Sequence, residues 1–374
     1  MNAAADSGPL AGLRVIDLGQ VYLGPYCGLM FALMGAEVIK VEPPGGDSIR
    51  GIAGGRENPA AMMLNSSKQS VTLDLGSKDG RTALLALADT ADVLIENFRP
   101  GTMEKLGLGW ETLCARNPRL VMGSGKGYAA DSVYRDAPAM DFPIQALTGL
   151  MSVTGFPDGP PVKCGAAITD FLGGIHLFGG IMAALHARGA TGRGDFVQIA
   201  MQDVAHHALA SNIASFLLAS HGFADRAGNS QAVLKVAPYD LFPAQDGQVA
   251  IMCLNDRHWQ QLIRAMGRPE LAEDPDLAEG PARCAQRARV DGWVTEWTSR
   301  HTRAEIFAAL SGAHVPGAPV RTLAEVVSDE DMRARAHRRA GVIGMAVGIG
   351  GDDHDVGARL GERRLEIGEE GVGG

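Results

Sequence analysis

Apolar and polar positions alternate between two periods along the first third of the chain. Residues 13–18 (LRVIDL) form a short β-rich apolar run followed by the turn GQVYLGP. Residues 26–34 then carry a helical pattern stopped at Gly35, and 37–42 (EVIKVE) form a second strand. Strand, helix and strand in this order make the βαβ unit of a parallel sheet. The pattern recurs with a strand at 70–75, a helix at 79–89 and a strand at 92–97 (DVLIEN). Helical pieces around Met103 and at 110–116 lead to a further strand at 119–124. Such alternation predicts a doubly wound, Rossmann-like α/β domain.

From Asp141 to Ser220 the pattern is mainly helical, broken by one strand at 195–201 (DFVQIAM) and continued by one long helix over 203–220. The character changes near Gly222. Runs at 239–243 and 248–254 flank Asp246-Gly247, a hairpin signal. Helices follow at 256–266, 283–299 and 304–310, and 315–320 (VPGAPV) is extended because proline disfavours helix for itself and its predecessor. The domain expectation is a large α/β domain over residues 1–225, a smaller α+β domain over 226–332, and a glycine-rich C-terminal segment, 333–374, returning to the large domain.

Composition narrows the function. Lys plus Arg number 34 and Asp plus Glu 43, a formal net charge of −9. A net-acidic chain is a poor nucleic-acid binder, since phosphate affinity comes from clustered basic side chains. Any anionic ligand must be held by a local basic pocket. The five cysteines show no CxxC or Cys/His ligand spacing, so no metal site is expected. Their odd number, and a start (MNAAADSGPLAG) without a basic or apolar segment, fit a reduced, cytoplasmic protein. The most apolar stretch, 171–185, falls short of the about 20 residues that span a bilayer and contains four glycines and a histidine; it is expected to be a buried helix.

The first βα turn holds Gly19 and Gly24 in the order G-x-x-x-x-G. This is neither the dinucleotide fingerprint nor a P-loop. The turn still stands where a doubly wound sheet binds ligands, at the carboxyl end of a strand. No HExxH, no nucleophile elbow and no Ser/His/Asp arrangement occurs. Residues 164–174 (CGAAITDFLGG) carry more: Asp170 stands among small and apolar neighbours at the start of a helix. It is either a helix N-cap or a carboxylate nucleophile, stabilised by the helix terminus, that attacks an activated acyl group.

Several segments resemble the family III CoA-transferases, the CaiB/BaiF family, whose members include formyl-CoA transferase. They are PLAGLRVIDLGQVYLGP (9–25), MGAEVIKVEPPGGDSIR (34–50), SVTLDL (70–75), ADVLIENFRPGTMEKLGLGW (91–110), GKGY (125–128), TGFPDGPPV (154–162), GAAITD (165–170) and ATGRGDFVQIAMQDV (190–204). The resemblance implies the CaiB/BaiF fold, an interlocked homodimer, and a catalytic aspartate at Asp170. That residue would carry CoA between acids through an aspartyl-acyl anhydride and an aspartyl-CoA thioester. Acyl-CoA and a carboxylic acid would be the small-molecule partners, with no tightly bound cofactor, metal, nucleic acid or membrane.

The positions matched to CoA contacts are Val21, Tyr22, Leu73, Asn97, Phe98, Arg99, Lys105 and Lys126, with Arg50 added by proximity. Met140, Asp141 and Gln145 would line the substrate pocket, Asp141 either orienting pocket groups or capping a helix. The related α-methylacyl-CoA racemases use a histidine and an aspartate as paired bases. Here Met140 holds the histidine position and cannot take a proton, which favours transfer over racemisation or epimerisation. A non-catalytic acyl-CoA-binding homologue is the other alternative, suggested by the divergent C-terminus.

Overall fold

The computed structural model describes residues 8–51, 58–218, 226–230 and 236–332; the segment 333–374 and its expected return lie outside these described residues. Two compact units emerge. One is built from residues up to Thr148 together with Cys164–Ala208, the other from Gly149–Lys163 together with Leu209–Ser328.

The first unit runs β1 (Arg14–Asp17), α1 (Leu23–Leu33), β2 (Glu37–Glu42), α2 (Ser48–Gly51), α3 (Pro59–Asn65), β3 (Gln69–Thr72), α4 (Lys78–Ala88) and β4 (Val93–Glu96). It continues through α5 (Thr102–Lys105), α6 (Trp110–Arg116), β5 (Val121–Lys126), α7 (Asp141–Leu147), α8 (Ile168–Thr191), β6 (Phe196–Ala200) and α9 (Met201–Ala208). All six strands are parallel, in the order β3-β2-β1-β4-β5-β6. Val93, Leu94 and Ile95 are fully buried, as expected of a central strand covered by helices on both faces. One face packs Ile16, Leu94 and Met122 against Leu84 of α4 and Leu113 of α6. The other presents Gly123 and Gly125, where side chains from α8 and α1 come so close that a Cβ would meet Ile181 at 2.4 Å and Leu23 at 2.2 Å.

Strand β5 lies two residues later than its apolar pattern suggests. It pairs Val93 with Val121 and Lys126 with Ala200, which carries Lys126 to the strand's carboxyl end. Helix α8 is 24 residues long, extending beyond the apolar run 171–185 at both ends, and by length and composition alone it could cross a membrane. The helix is buried on one face and not all round as expected: 33 % of its most apolar window is buried, Gly123 sits beneath Leu177 and Ile181, and the buried Arg188 pairs with Asp92 at 2.9 Å.

The second unit contains α10 (Ala210–Leu218), the hairpin β7 (Tyr239–Ala244) and β8 (Gly247–Met252), and α11 (Asp256–Ala265). It then adds α12 (Gly280–Ala285), α13 (Arg287–Thr298), α14 (Arg303–Gly312), β9 (Gly317–Pro319) and α15 (Leu323–Val327). The three strands form an antiparallel sheet in the order β7-β8-β9, so the expected extended segment at 315–320 contributes the third strand. Phe242, Val249, Ile251, Trp259, Val294 and Leu310 belong to its core. Arg283 is fully buried there, donating to the carbonyls of Ala237, Leu277 and Ala278 and pairing with Asp256 at 2.7 Å.

Two long helices expected from periodicity are each divided. The run 203–220 gives α9 and α10, separated at Leu209, although Ala208-Leu209-Ala210 contains no helix breaker. The run 283–299 gives α12 and α13, separated at Gln286. Residues 149–163 pack with the second unit, whereas the sequence division at 225 groups them with the first. Arg226 reaches the carbonyls of Ser152, Phe156 and Gly159, and the Gly228 N–H donates to the Gly155 carbonyl at 3.0 Å.

Candidate active site

In a parallel sheet of order 3-2-1-4-5-6, the chain leaves β1 and β4 in opposite directions, and the crevice at their carboxyl ends is the general ligand site. Here that crevice lies between the turn Leu18–Tyr22 after β1 and the segment Asn97–Arg99 after β4. Leu73 follows β3, Arg50 lies in the connection after β2, and Lys126 ends β5. Helix α8 leads into β6 of the same sheet, so its N-terminus, with Asp170, lies over the same carboxyl edge. The topology thus brings the sequence-derived site residues of the first unit to one edge.

The turn after β1 is built by close approach. A Cβ on Gly19 would lie 2.5 Å from the Gly24 Cα, and one on Gly24 would lie 3.1 Å from Oδ1 of Asn97. Asn97 fills that space and clamps the Gln20 backbone, accepting from its N–H at 2.7 Å and donating to its carbonyl at 2.9 Å. Val21 follows with φ of 62°, a left-handed conformation rare for a β-branched residue. Its N–H is bound by the Asp47 carboxylate, at 3.1 Å from one oxygen and 3.3 Å from the other.

Beneath the turn lies a charged network that the hydrophobic pattern does not announce. Asp17, on β1, is fully buried and accepts from the Gly19 N–H and from Lys68 Nζ, each at 2.8 Å. Lys40, on β2, donates to the Gly19 carbonyl and lies 3.9 Å from Asp17 and 3.7 Å from Asp47. Burial draws the Lys68 ammonium down to about 8, with the Asp17 charge opposing that fall. Glu42 receives the Arg50 guanidinium as a two-pronged fork at 2.7 and 2.8 Å. Burial pushes Glu42 up, yet the fork and the Asp47 N–H outweigh it and hold the carboxyl below its usual value. Arg50 is thereby engaged with a carboxylate of its own chain.

Lys126 is engaged likewise. Its ammonium lies 2.8 Å from both Glu96 oxygens and 2.7 Å from the Phe98 carbonyl, while Glu96 accepts the Phe98 N–H. Arg99 and Lys105 are exposed and form no ion pair with a described residue, so both are open to an anionic ligand. The Leu73 side chain sits in the core with Ile16 and Leu84.

Asp170 is the third residue of α8. The position before the helix is Ala167, which offers no side-chain cap, so Asp170 is not the N-cap. The cap arrives from α7: Oδ1 of Asp141 accepts from the Thr169 N–H at 2.9 Å and from its hydroxyl at 2.8 Å. Gln145 is buried and completes the arrangement, donating to Asp141 Oδ2 at 2.7 Å and accepting from the Cys164 N–H at 2.8 Å. One helix-start donor, the Thr169 N–H, is therefore spent on Asp141. Burial, and secondarily the Asp141 charge, push the Asp170 carboxyl up to about 7, rather than down as a helix terminus alone would do. Beside it, the Phe171 ring stacks edge-on to Tyr26 at 4.9 Å and lies 6.0 Å from Tyr22. Gly173 and Gly174 admit Leu23 and Tyr26 of α1 against α8. Met140, expected in the pocket, is 61 % exposed.

The buried charges Asp17, Lys40, Asp47 and Lys68 are site residues the sequence reading missed. Two lysines and two aspartates in or near the first apolar strands and the glycine turn were the available signal, and on residue type alone they read as surface charges. Among the described residues no group of three or more His, Cys, Asp or Glu side chains is placed to hold a metal ion.

The family model that matches residues 10–340 describes CoA-transferase family III. The chain is 38 % identical over 340 residues to a succinyl-CoA:mesaconate CoA-transferase of Haloarcula hispanica, covering 88 % of this chain and 84 % of that protein. It is 36 % identical to a succinyl-CoA–D-citramalate CoA-transferase of Chloroflexus aurantiacus, covering 87 % and 82 %. Its fold matches the crystal structure of a CaiB/BaiF family protein from Brucella suis with a TM-score of 0.78 and 34 % identity, covering 88 % of each chain.

Proposed function

The chain belongs to CoA-transferase family III, and on that premise we propose that it moves CoA reversibly from an acyl-CoA to a carboxylic acid through Asp170. The observation that carries this reading is a largely buried carboxylate, pushed up to about 7, at the start of α8 over the ligand-binding edge of the sheet. An ionised Asp170 oxygen attacks the thioester carbonyl carbon, the C–S bond breaks, and CoA leaves as thiolate with an aspartyl-acyl anhydride behind it. The thiolate then attacks the aspartyl carbonyl, expels the donor acid as carboxylate and leaves an aspartyl-CoA thioester. The acceptor carboxylate attacks that carbonyl, releasing thiolate and forming a second anhydride. Thiolate attack on the acceptor's acyl carbon gives the new acyl-CoA and regenerates Asp170. Each step exchanges acyl groups of comparable energy, so the cycle runs without a further co-reactant.

The roles of this chain's residues follow. Asp141 and Gln145 hold the start of α8, and with it Asp170, in place. Arg99 and Lys105 are the cations for the CoA phosphates. Val21, Tyr22, Asn97 and Phe98 shape the crevice, while Lys126 and Arg50 act through Glu96 and Glu42. Met140 has no proton to exchange, which weighs against α-proton transfer. Relatives that use succinyl-CoA make it the first donor to try, with dicarboxylic acids as acceptors. An interlocked homodimer would cover exposed apolar side chains such as Val133, Phe142 and Leu217, and a light-scattering mass of twice the chain tests it. Cys27, Cys114, Cys253 and Cys284 form no disulfide among the described residues, which suits the cytoplasm.

The deciding experiment incubates the protein with succinyl-CoA or acetyl-CoA and a panel of acceptor acids. Transfer is expected in the wild type and lost in Asp170→Ala. Hydroxylamine or borohydride should trap a modified Asp170 in the presence of acyl-CoA. Deuterium wash-in at the α-carbon without any acceptor would instead indicate a racemase, and CoA binding without transfer would indicate an idle homologue.

A further inference from the structure

The turn between β1 and α1 spends its backbone donors in an unusual way. Three successive N–H groups are each bound by a side chain: Gly19 by Asp17, Gln20 by Asn97 and Val21 by Asp47. These three N–H groups are therefore not open to a diphosphate, as those of a dinucleotide-binding turn would be. The turn instead offers its shape. That shape includes Val21 at φ 62°, which a β-branched side chain resists and which persists only where the surroundings over-determine it.

We infer that Asp47 is a positioning residue that locks Val21 in this conformation and so sets the crevice for acyl-CoA. Asp47 is buried and cannot itself meet a ligand. It is also immobile: its own N–H donates to Glu42 at 3.0 Å, one oxygen accepts the Ile49 N–H at 3.1 Å, and the other faces Lys40 at 3.7 Å. Remove the carboxylate charge and the bond that holds the Val21 N–H weakens while Lys40 loses a counter-charge. The turn that precedes Tyr22 and α1 is then free to relax out of the left-handed region. This role rests on the CoA-transferase reading, because it is acyl-CoA that the turn is shaped to receive.

The test measures the dissociation constant of CoA by calorimetry, and turnover with succinyl-CoA, for full-length Asp47→Asn, Val21→Gly and the double variant. Asp47→Asn is expected to weaken CoA about tenfold while kcat at saturation stays within about twofold. In the Val21→Gly background the same substitution should cost under about threefold, since glycine takes a positive φ without help. Equal losses in both backgrounds, or none in either, overturn the inference. Hydrogen exchange supplies a check on the wild type alone: the Val21 amide should be strongly protected, and rapid exchange there also overturns it. A wild type that binds no CoA removes the transferase reading itself; a wild type that binds CoA with Asp47→Asn unaffected removes only the role of Asp47.

Discussion

The Asp141 carboxylate, carried on α7, binds the backbone nitrogen of Thr169 at 2.9 Å and so caps a helix to which it does not belong. The residue after Thr169 is the proposed nucleophile, so one acid both orients and opposes the other. Asp141 adds to the burial that pushes Asp170 up to about 7. Attack requires the ionised form, so kcat/KM for acyl-CoA should rise with pH through about 7. Asp141→Asn keeps an acceptor oxygen but removes the like charge, and the midpoint should move to lower pH while staying above the ordinary carboxylate range, because burial remains. A pH profile identical to wild type would remove Asp141 from this role.

Asp170 itself should cost stability. Its folded value lies above the unfolded one, so its neutral form is tolerated at low pH and its ionisation penalises the folded chain progressively between about pH 4 and 7. The gap between about 7 and an ordinary value of about 4 sets a ceiling of roughly 4 kcal/mol. Asp170→Asn should therefore melt above wild type at pH 8 and close to it at pH 4, while transfer falls by about a thousandfold or more. Scanning calorimetry at the two pH values checks the first statement; a wild type that is equally stable relative to the variant at both would contradict it.

The basic residues divide by what they touch. Lys126→Met leaves the buried Glu96 carboxylate without its ion pair, at a cost of about 3–5 kcal/mol. Arg99→Ala and Lys105→Ala, both exposed, should stay within about 0.5 kcal/mol of wild type. They should instead raise KM for acyl-CoA, more at low ionic strength than at high. Melting curves and salt-dependent kinetics separate the two groups; a Lys126→Met protein of wild-type stability would mean that its ammonium is free for ligand.

Gly174→Ala tests the contact between α1 and α8. The added Cβ would lie 2.8 Å from the Leu23 carbonyl oxygen and 2.9 Å from the Tyr26 ring, and backbone does not give way cheaply. A loss of about 1–3 kcal/mol is expected by denaturant titration, with weaker acyl-CoA turnover because Tyr26 and Phe171 are displaced together. At Gly179, where a Cβ would meet nothing, the same substitution should be neutral or mildly stabilising.

The doubly wound sheet was legible because each strand and its helix carry their own period: EVIKVE and the 110–116 helix fall where the pattern places them. Asp170 was legible as a carboxylate at a helix start, but not which acid caps that helix, since Asp141 lies 28 residues away and its partner is a backbone nitrogen. Lys126 and Arg50 look like ligand cations in sequence; only packing reveals that Glu96 and Glu42 already hold them. The break at Leu209 has no local signal at all, since alanine and leucine both favour helix.

The buried group beneath the β1–α1 turn sums to zero: Asp17, Glu42 and Asp47 against Lys40, Lys68 and Arg50. A mutational library should therefore find these six positions nearly closed to solitary changes of charge yet open to paired exchanges that keep the net charge at zero. A lysine in this corner of the protein should be surrendered without loss of folding only together with an acid.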